Sequence, residues 1–180
     1  MKYTEIIDFW YSDRIKKHWF SSTPELDKEI REKYENLWLM GISGELDEWQ
    51  SSPEGCLALI ILLDQFPLNM FRGQAKSFQS EKKSIDVALK AVNCHFDKKI
   101  EPAKLIFLFM PFMHSEKLED QDRALKLYKK YNLTANIRFS KHHREIINKF
   151  GRFPHRNKIL GRESTPLETE YLNSKVAFKG

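Results

Sequence analysis

Two cysteines, seven glycines and seven prolines are all that the 180 residues hold of the types that staple or break a chain. Cys56 and Cys94 stand alone inside apolar helical patterns, with no CxxC or other metal-type pair. Reduced core thiols are expected rather than a disulfide. The scarcity of glycine and proline excludes collagen-like and low-complexity chains. Long hydrophobic runs are missing too. The longest strictly apolar ones, Cys56–Leu63 and Leu105–Met110, fall far short of the ~20 residues that cross a bilayer. The N-terminal MKYTEIIDFW carries acids and no apolar h-region, so a secretory signal is not expected and the chain reads as cytoplasmic, without a membrane partner. Aromatic residues are abundant, with 13 Phe, 6 Tyr and 4 Trp. A disordered chain lacks that load, and at this length it suits one continuous core.

Acids are scarce in one stretch. The formal net charge is +5, yet residues 134–163 alone hold eight Lys or Arg against Glu145 and Glu163, a net +6. Such a segment can serve nucleic acid, an anionic metabolite or carboxylates of its own fold. Its aromatics are few (Phe139, Phe150, Phe153) and no RNA-binding pattern is present. This argues against nucleic acid and leaves an anionic small ligand or internal ion pairs.

The punctuation is helical. Thr23-Pro24, Ser52-Pro53 and Thr165-Pro166 each place a capping hydroxyl before a proline at the first helical position, and Thr165 with Glu168 fits a capping box. Apolar residues recur at helical spacing: Leu26, Ile30, Tyr34, Leu37 and Trp38; then Ile85, Ala88, Leu89, Val92 and Phe96; then Leu118, Leu125 and Tyr128, widened by Ala124, Leu127 and Tyr131. Gly41 and Gly44 are expected to end the helix before them. Cys56–Leu63 is apolar all round, the mark of a central buried helix. Strand alternation is absent. The expected fold is all-α: one domain, 1–180, of seven to nine antiparallel helices packed in sequence order.

Four segments carry chemistry-bearing residues. In the first, Asp64 rides a buried stripe and needs a cation, from Arg72 or a C-terminal arginine. In the second, Pro111 should stop or kink its helix, and Ser115 is a plausible cap. His114 and Glu116 then sit at a helix junction, while Gln121 faces the core and must find partners. In the third, Phe139, His142, His143, Ile146, Ile147 and Phe150 share one helical face, so both histidines point inward. Adjacent histidines diverge by about 100° and do not chelate one ion together. No metal is expected, because ligand spacing is absent. In the fourth, Gly151 suits a left-handed helix end. Arg152, His155, Arg156, Asn157 and Arg162 then crowd one loop, pinned by Phe153 and Pro154. Forked guanidinium groups suit carboxylate or phosphate.

Taken together, the strings LALIILLDQFP, FRG, PFMHSE with the DQ that follows, and HHREIINKFGRFPHRNKILGREST resemble the bacterial domain-of-unknown-function 924 family, as do DFWY and GELDEWQSSPEG. The resemblance covers nearly the whole chain. It implies an all-α fold related to tetratricopeptide-like helical arrays and no established reaction. Leu68 stands where the family usually has arginine, and Phe109 where it often has tyrosine.

The reading that follows is a small anionic ligand bound, or hydrolysed, in a His/Arg-rich pocket. His114, Glu116, His142 and His143 are the candidates for acid–base work. Asp64, Arg72, Gln121, Arg152, His155, Arg156 and Asn157 are the candidates for ligand contact. No nucleophile elbow, phosphate loop or dinucleotide fingerprint names a reaction or a cofactor. The alternative is a helical-repeat module that binds an acidic peptide.

Overall fold

The hydroxyl–proline pairs mark helix starts as expected. A computed structural model describes residues Lys2–Lys179, and the described residues contain helices, turns and no strand. The helices are α1 (Tyr3–Trp10), α2 (Asp13–Lys16), α3 (Pro24–Ser43), α4 (Pro53–Ile60), α5 (Phe66–Met70), α6 (Glu81–Asn93), α7 (Leu105–His114), α8 (Leu118–Lys130), α9 (Thr134–Phe150) and α10 (Pro166–Asn173). Thr23, Ser52 and Thr165 each accept a backbone N–H from the residue three ahead, and Glu168 completes the capping box at α10. The fold is therefore all-α. No described helix is long and apolar enough to cross a membrane.

The chain divides into two compact units. The first runs to Arg72 and resumes over Lys76–Pro111; the second holds Gly73–Ala75 and everything described from Phe112 onward. In the first unit, α1 and α6 both pack on α4 while α3 packs on α5, so neighbours in space are not always neighbours in sequence. Its core is aromatic. The Trp10 ring lies 5.6 Å from Phe66 and 5.4 Å from Phe107, and Tyr34 lies 4.6 Å from Phe66. Edge-on and tilted contacts of this kind add to the burial of the rings themselves.

The apolar run does not stay an α-helix. After α4, residues Ile61–Gln65 form a π-turn in which the Phe66 N–H reaches the Ile61 carbonyl. The cause is Pro67, which has no N–H to offer Leu63 four residues earlier. The Leu63 carbonyl is satisfied instead by the Ser80 hydroxyl at 2.5 Å, and Ser80 Oγ accepts the Trp38 Nε1–H at 2.9 Å. Asp64 and Gln65 are carried on this turn, both buried.

Three local expectations are corrected. Gly41 does not end α3. It lies within it, where a side-chain Cβ would stand 3.1 Å from Leu63 Cδ2, and Gly44 (φ 95°) makes the left-handed cap alone. Pro111 does not stop α7, which continues to His114. Cys56 is buried but Cys94 is exposed, because α6 has already ended at Asn93.

The second unit is built on the α8–α9 hairpin. Ile146, Ile147 and Phe153 form its apolar centre, with Phe150, Tyr171 and Phe178 packed against them.

Candidate functional site

Glu116 occupies the short junction between α7 and α8. Its carboxylate takes both arms of the Arg162 guanidinium, at 2.6 and 2.9 Å, and the Phe153 N–H at 2.8 Å. Burial works to raise its pKa. The Arg162 and Phe153 hydrogen bonds and the charges of Arg156 and Arg162 outweigh that, and the net effect holds it below the usual range. Arg162 also donates to Asn157 Oδ1 at 3.0 Å, and Asn157 Nδ2 donates to Ser164 at 3.1 Å. Ser115, expected as a cap, accepts the Lys117 N–H and donates to Asp120 instead. Gln121 is buried as expected, and its amide closes the junction by donating to the Met113 and Ser115 carbonyls, both at 2.7 Å.

Arg152 forms a second forked pair. Its Nε and Nη2 donate to Glu168 at 2.6 and 2.8 Å, and Nη2 reaches the Glu163 carbonyl. Glu168 is only 2% exposed and also accepts the Thr165 N–H. The Arg152 hydrogen bond is the main cause that pulls its pKa down to about 2. Arg156, buried, donates to the His114 carbonyl at 2.8 Å and lays its guanidinium 4.6 Å from the Phe153 ring centroid. Arg152, offered by the sequence for ligand contact, and Arg162 beside it are thus engaged by the chain's own carboxylates.

The histidines form the other half of the cluster. His143 is 5% exposed, with Nδ1 2.8 Å from the Phe139 carbonyl oxygen. A carbonyl only accepts, so Nδ1 carries the proton and Nε2 keeps its lone pair. Burial is the main cause that pushes the His143 pKa down to about 3, with smaller pushes from His114, His142 and His155. Burial likewise lowers His155 to about 4, assisted by the Arg156 charge. His155 Nδ1 is buried with no hydrogen-bond partner among the described residues. Both rings touch the same two phenyl groups. His143 lies 5.4 Å from Phe153 and 4.4 Å from Phe178; His155 lies 5.5 and 5.0 Å from the same pair. The two imidazoles and the Phe153 ring thus surround one position, a recess that the Phe178 ring occupies. His142 is half-buried and 6.3 Å from Phe178.

A family model matches residues 6–175 and is described as a bacterial protein of unknown function, DUF924. The chain belongs to the DUF924 family. A solved structure titled as a protein of unknown function from Agrobacterium tumefaciens is 34% identical, covers 95% of this chain and 96% of its own, and superposes with a TM-score of 0.88. No curated protein matches. Within this DUF924 chain, the two remaining candidates belong to the other unit. Arg72 does not serve Asp64. It is exposed and pairs with Asp27 at 2.8 Å, while Asp64 accepts from Gln65 Nε2 at 2.5 Å. A hollow on α3 lined by Lys28, Arg31, Glu32, Glu35 and Asn36 is open, and its charges pair along the helix.

Phe139 is the clear departure on α9. It is 56% exposed, because the buried face centres on Asn136, Ser140, His143 and Ile147 rather than on the 139–150 stripe. Phe178 and Glu168 were not on the sequence's list of site residues. Glu168 had a signal in its capping box; Phe178, in a short polar tail, had none.

Proposed function

We propose that the second unit binds a small polar ligand at the histidine recess. The observation that carries this reading is His155 Nδ1, buried and without a hydrogen-bond partner among the described residues. An unsatisfied buried nitrogen costs about 1–3 kcal/mol, which a ligand hydrogen bond would recover. A pKa of about 4 leaves this imidazole neutral near pH 7, so it contacts the ligand as a polar dipole rather than as a cation. The buried guanidinium of Arg156 gives the recess one positive wall and favours an anionic group on the ligand. The anion clamp is then one arginine, not several. A histidine in this state is competent as a general base, and the reading assigns it binding without a named reaction.

His155→Phe keeps a ring in place and removes the nitrogen. The test is a nuclear magnetic resonance screen of small carboxylates, phosphates and heterocycles against both proteins. The expected result is at least one compound that shifts the His155 ring signals of the native protein and leaves the variant unaffected. If no compound reaches His155, or the same compounds perturb the variant equally, the reading is wrong.

A second reading has its own support. Residues 123–144 contain seven Lys or Arg and no acid. Arg123 and Arg144 pair with Asp120 and Asp122, and Lys126, Lys129, Arg138 and Lys141 stand exposed on the two helices near the turn that joins α8 to α9, as does Phe139. This end suits an acidic peptide bearing an apolar residue. Reversing Lys129 and Arg138 to Glu is expected to lower binding of a Glu/Leu peptide at least about tenfold at low salt. Equal binding by both proteins removes this reading.

A further inference from the structure

The histidine recess is already filled, and by the chain itself. Beyond α10 the segment Ser174–Lys179 turns back so that the Phe178 ring stands over His143 and His155 at centroid distances of 4.4 and 5.0 Å, with His142 at 6.3 Å. The attachment is slight. The Phe178 N–H donates to Tyr171 Oη at 2.9 Å, while Lys175, Val176 (71% exposed) and Lys179 project into solvent. Beyond the Ser174 bonds to the Tyr171 carbonyl, the Phe178 ring and its one hydrogen bond hold the segment on the histidines, Phe153, Ile146 and Ile147. A phenyl ring has no polar atom to offer His155 Nδ1, so the present occupant fills the space and leaves that nitrogen unsatisfied.

We infer that Phe178 is a resident stand-in for the ligand, which is a flat aromatic heterocycle carrying a ring N–H that takes the place of Phe178 between the imidazoles. This rests on the reading of the recess as a ligand site and adds the ligand's chemical class and its competitor. The shape follows from the walls: rings of His143, Phe153 and His155 set around another ring favour a planar guest that contacts them edge-on or offset. The donor follows from the two histidines. His143 Nε2 keeps its lone pair because Nδ1 carries the proton. A neutral His155 also keeps one nitrogen as an acceptor in either tautomer. Displacing Phe178 breaks one hydrogen bond, to Tyr171 Oη, besides the ring contacts. The tail therefore acts as a weak internal competitor, and the apparent affinity falls by the fraction of molecules in which it is seated.

The test uses three soluble probes: indole, which is flat with one N–H; benzofuran, which has the same shape without the donor; and cyclohexanol, which has a donor but no flat ring. They are titrated into the full-length protein, Phe178→Ala and Tyr171→Phe. The Tyr171 variant keeps the ring but loses the hydrogen bond that seats it. Without any probe, both variants should move the His143 and His155 ring signals and raise their pKa values towards the ordinary histidine range. With probes, Phe178→Ala should bind indole at least about tenfold tighter than the native protein, Tyr171→Phe should fall between, and benzofuran and cyclohexanol should bind at least about tenfold more weakly than indole. Histidine signals that are unchanged in both variants show that Phe178 is not seated there and overturn the stand-in, while the His155→Phe screen still decides the ligand site on its own. Histidine signals that move without any gain in indole binding, or with equal binding of indole and benzofuran, overturn the ligand class.

Discussion

Glu168→Gln is expected to lower the stability of the protein at pH 7 by about 1–3 kcal/mol, the range for a charged hydrogen-bond partner left unanswered. The glutamine keeps the shape and still accepts the Thr165 N–H, so the α10 cap survives. What is lost is the charge that answers Arg152, whose half-buried side chain then lacks its carboxylate partner. The same carboxylate sets an acid limit. Its pKa falls from about 4.5 unfolded to about 2 folded. Its contribution is therefore complete above the unfolded value and disappears as pH falls through the folded one. Urea denaturation at pH 7 and at pH 3 reads both effects. The difference between native protein and variant should shrink sharply at pH 3. The double variant Arg152→Met with Glu168→Met should recover much of the loss, because no charge is left buried. A single variant as stable as the native protein at pH 7 contradicts the pairing.

The second large effect lies at higher pH and has another origin. His143 is held at about 3 when folded, against 6.5 in the unfolded chain. Between those values the unfolded state binds the extra proton, so stability falls as pH falls, by about 1.4 kcal/mol per unit per group. At pH 5 His143 alone should cost about 2 kcal/mol relative to pH 7. His155, lowered to about 4, steepens the slope with the same sign until that pH is reached. The Glu168 contribution is constant above about pH 5, so the slope between pH 6.5 and 5 belongs to the histidines. His143→Phe should flatten the slope by about one proton's worth from pH 6.5 down to about pH 3. An unaltered slope in the variant would show that His143 titrates normally.

Much of this was legible in the residues. The three hydroxyl–proline pairs marked helix starts because a cap depends on four adjacent residues. His143 was visible as an inward residue because it keeps step with Ile146 and Ile147. The same reasoning placed Phe139 inward wrongly. A stripe of six residues is compatible with a face shifted by one position, and only Ser140 and Asn136, polar yet buried, mark the true centre. The α6 stripe slipped similarly, with Ser84, Val87, Ala88 and Ala91 at its buried centre. The π-turn was hidden because Cys56–Leu63 is apolar on every side and so carries no phase; Pro67 was its one available clue. The ion pairs were less legible still. Glu116 meets Arg162 across 46 residues and Glu168 meets Arg152 across 16, and charge counting alone does not pair groups that far apart. Nothing in the tail SKVAFKG announces that its phenylalanine covers two histidines.

The central claim is that the recess holds two uncharged imidazoles. Correlation spectra of the histidine ring nitrogens at pH 7 and pH 5.5 test it directly. The structure predicts that His143 stays neutral at both, with its proton on Nδ1, and that His155 also remains uncharged at pH 5.5. Ring signals of either histidine that move to the doubly protonated form between those two pH values would contradict it.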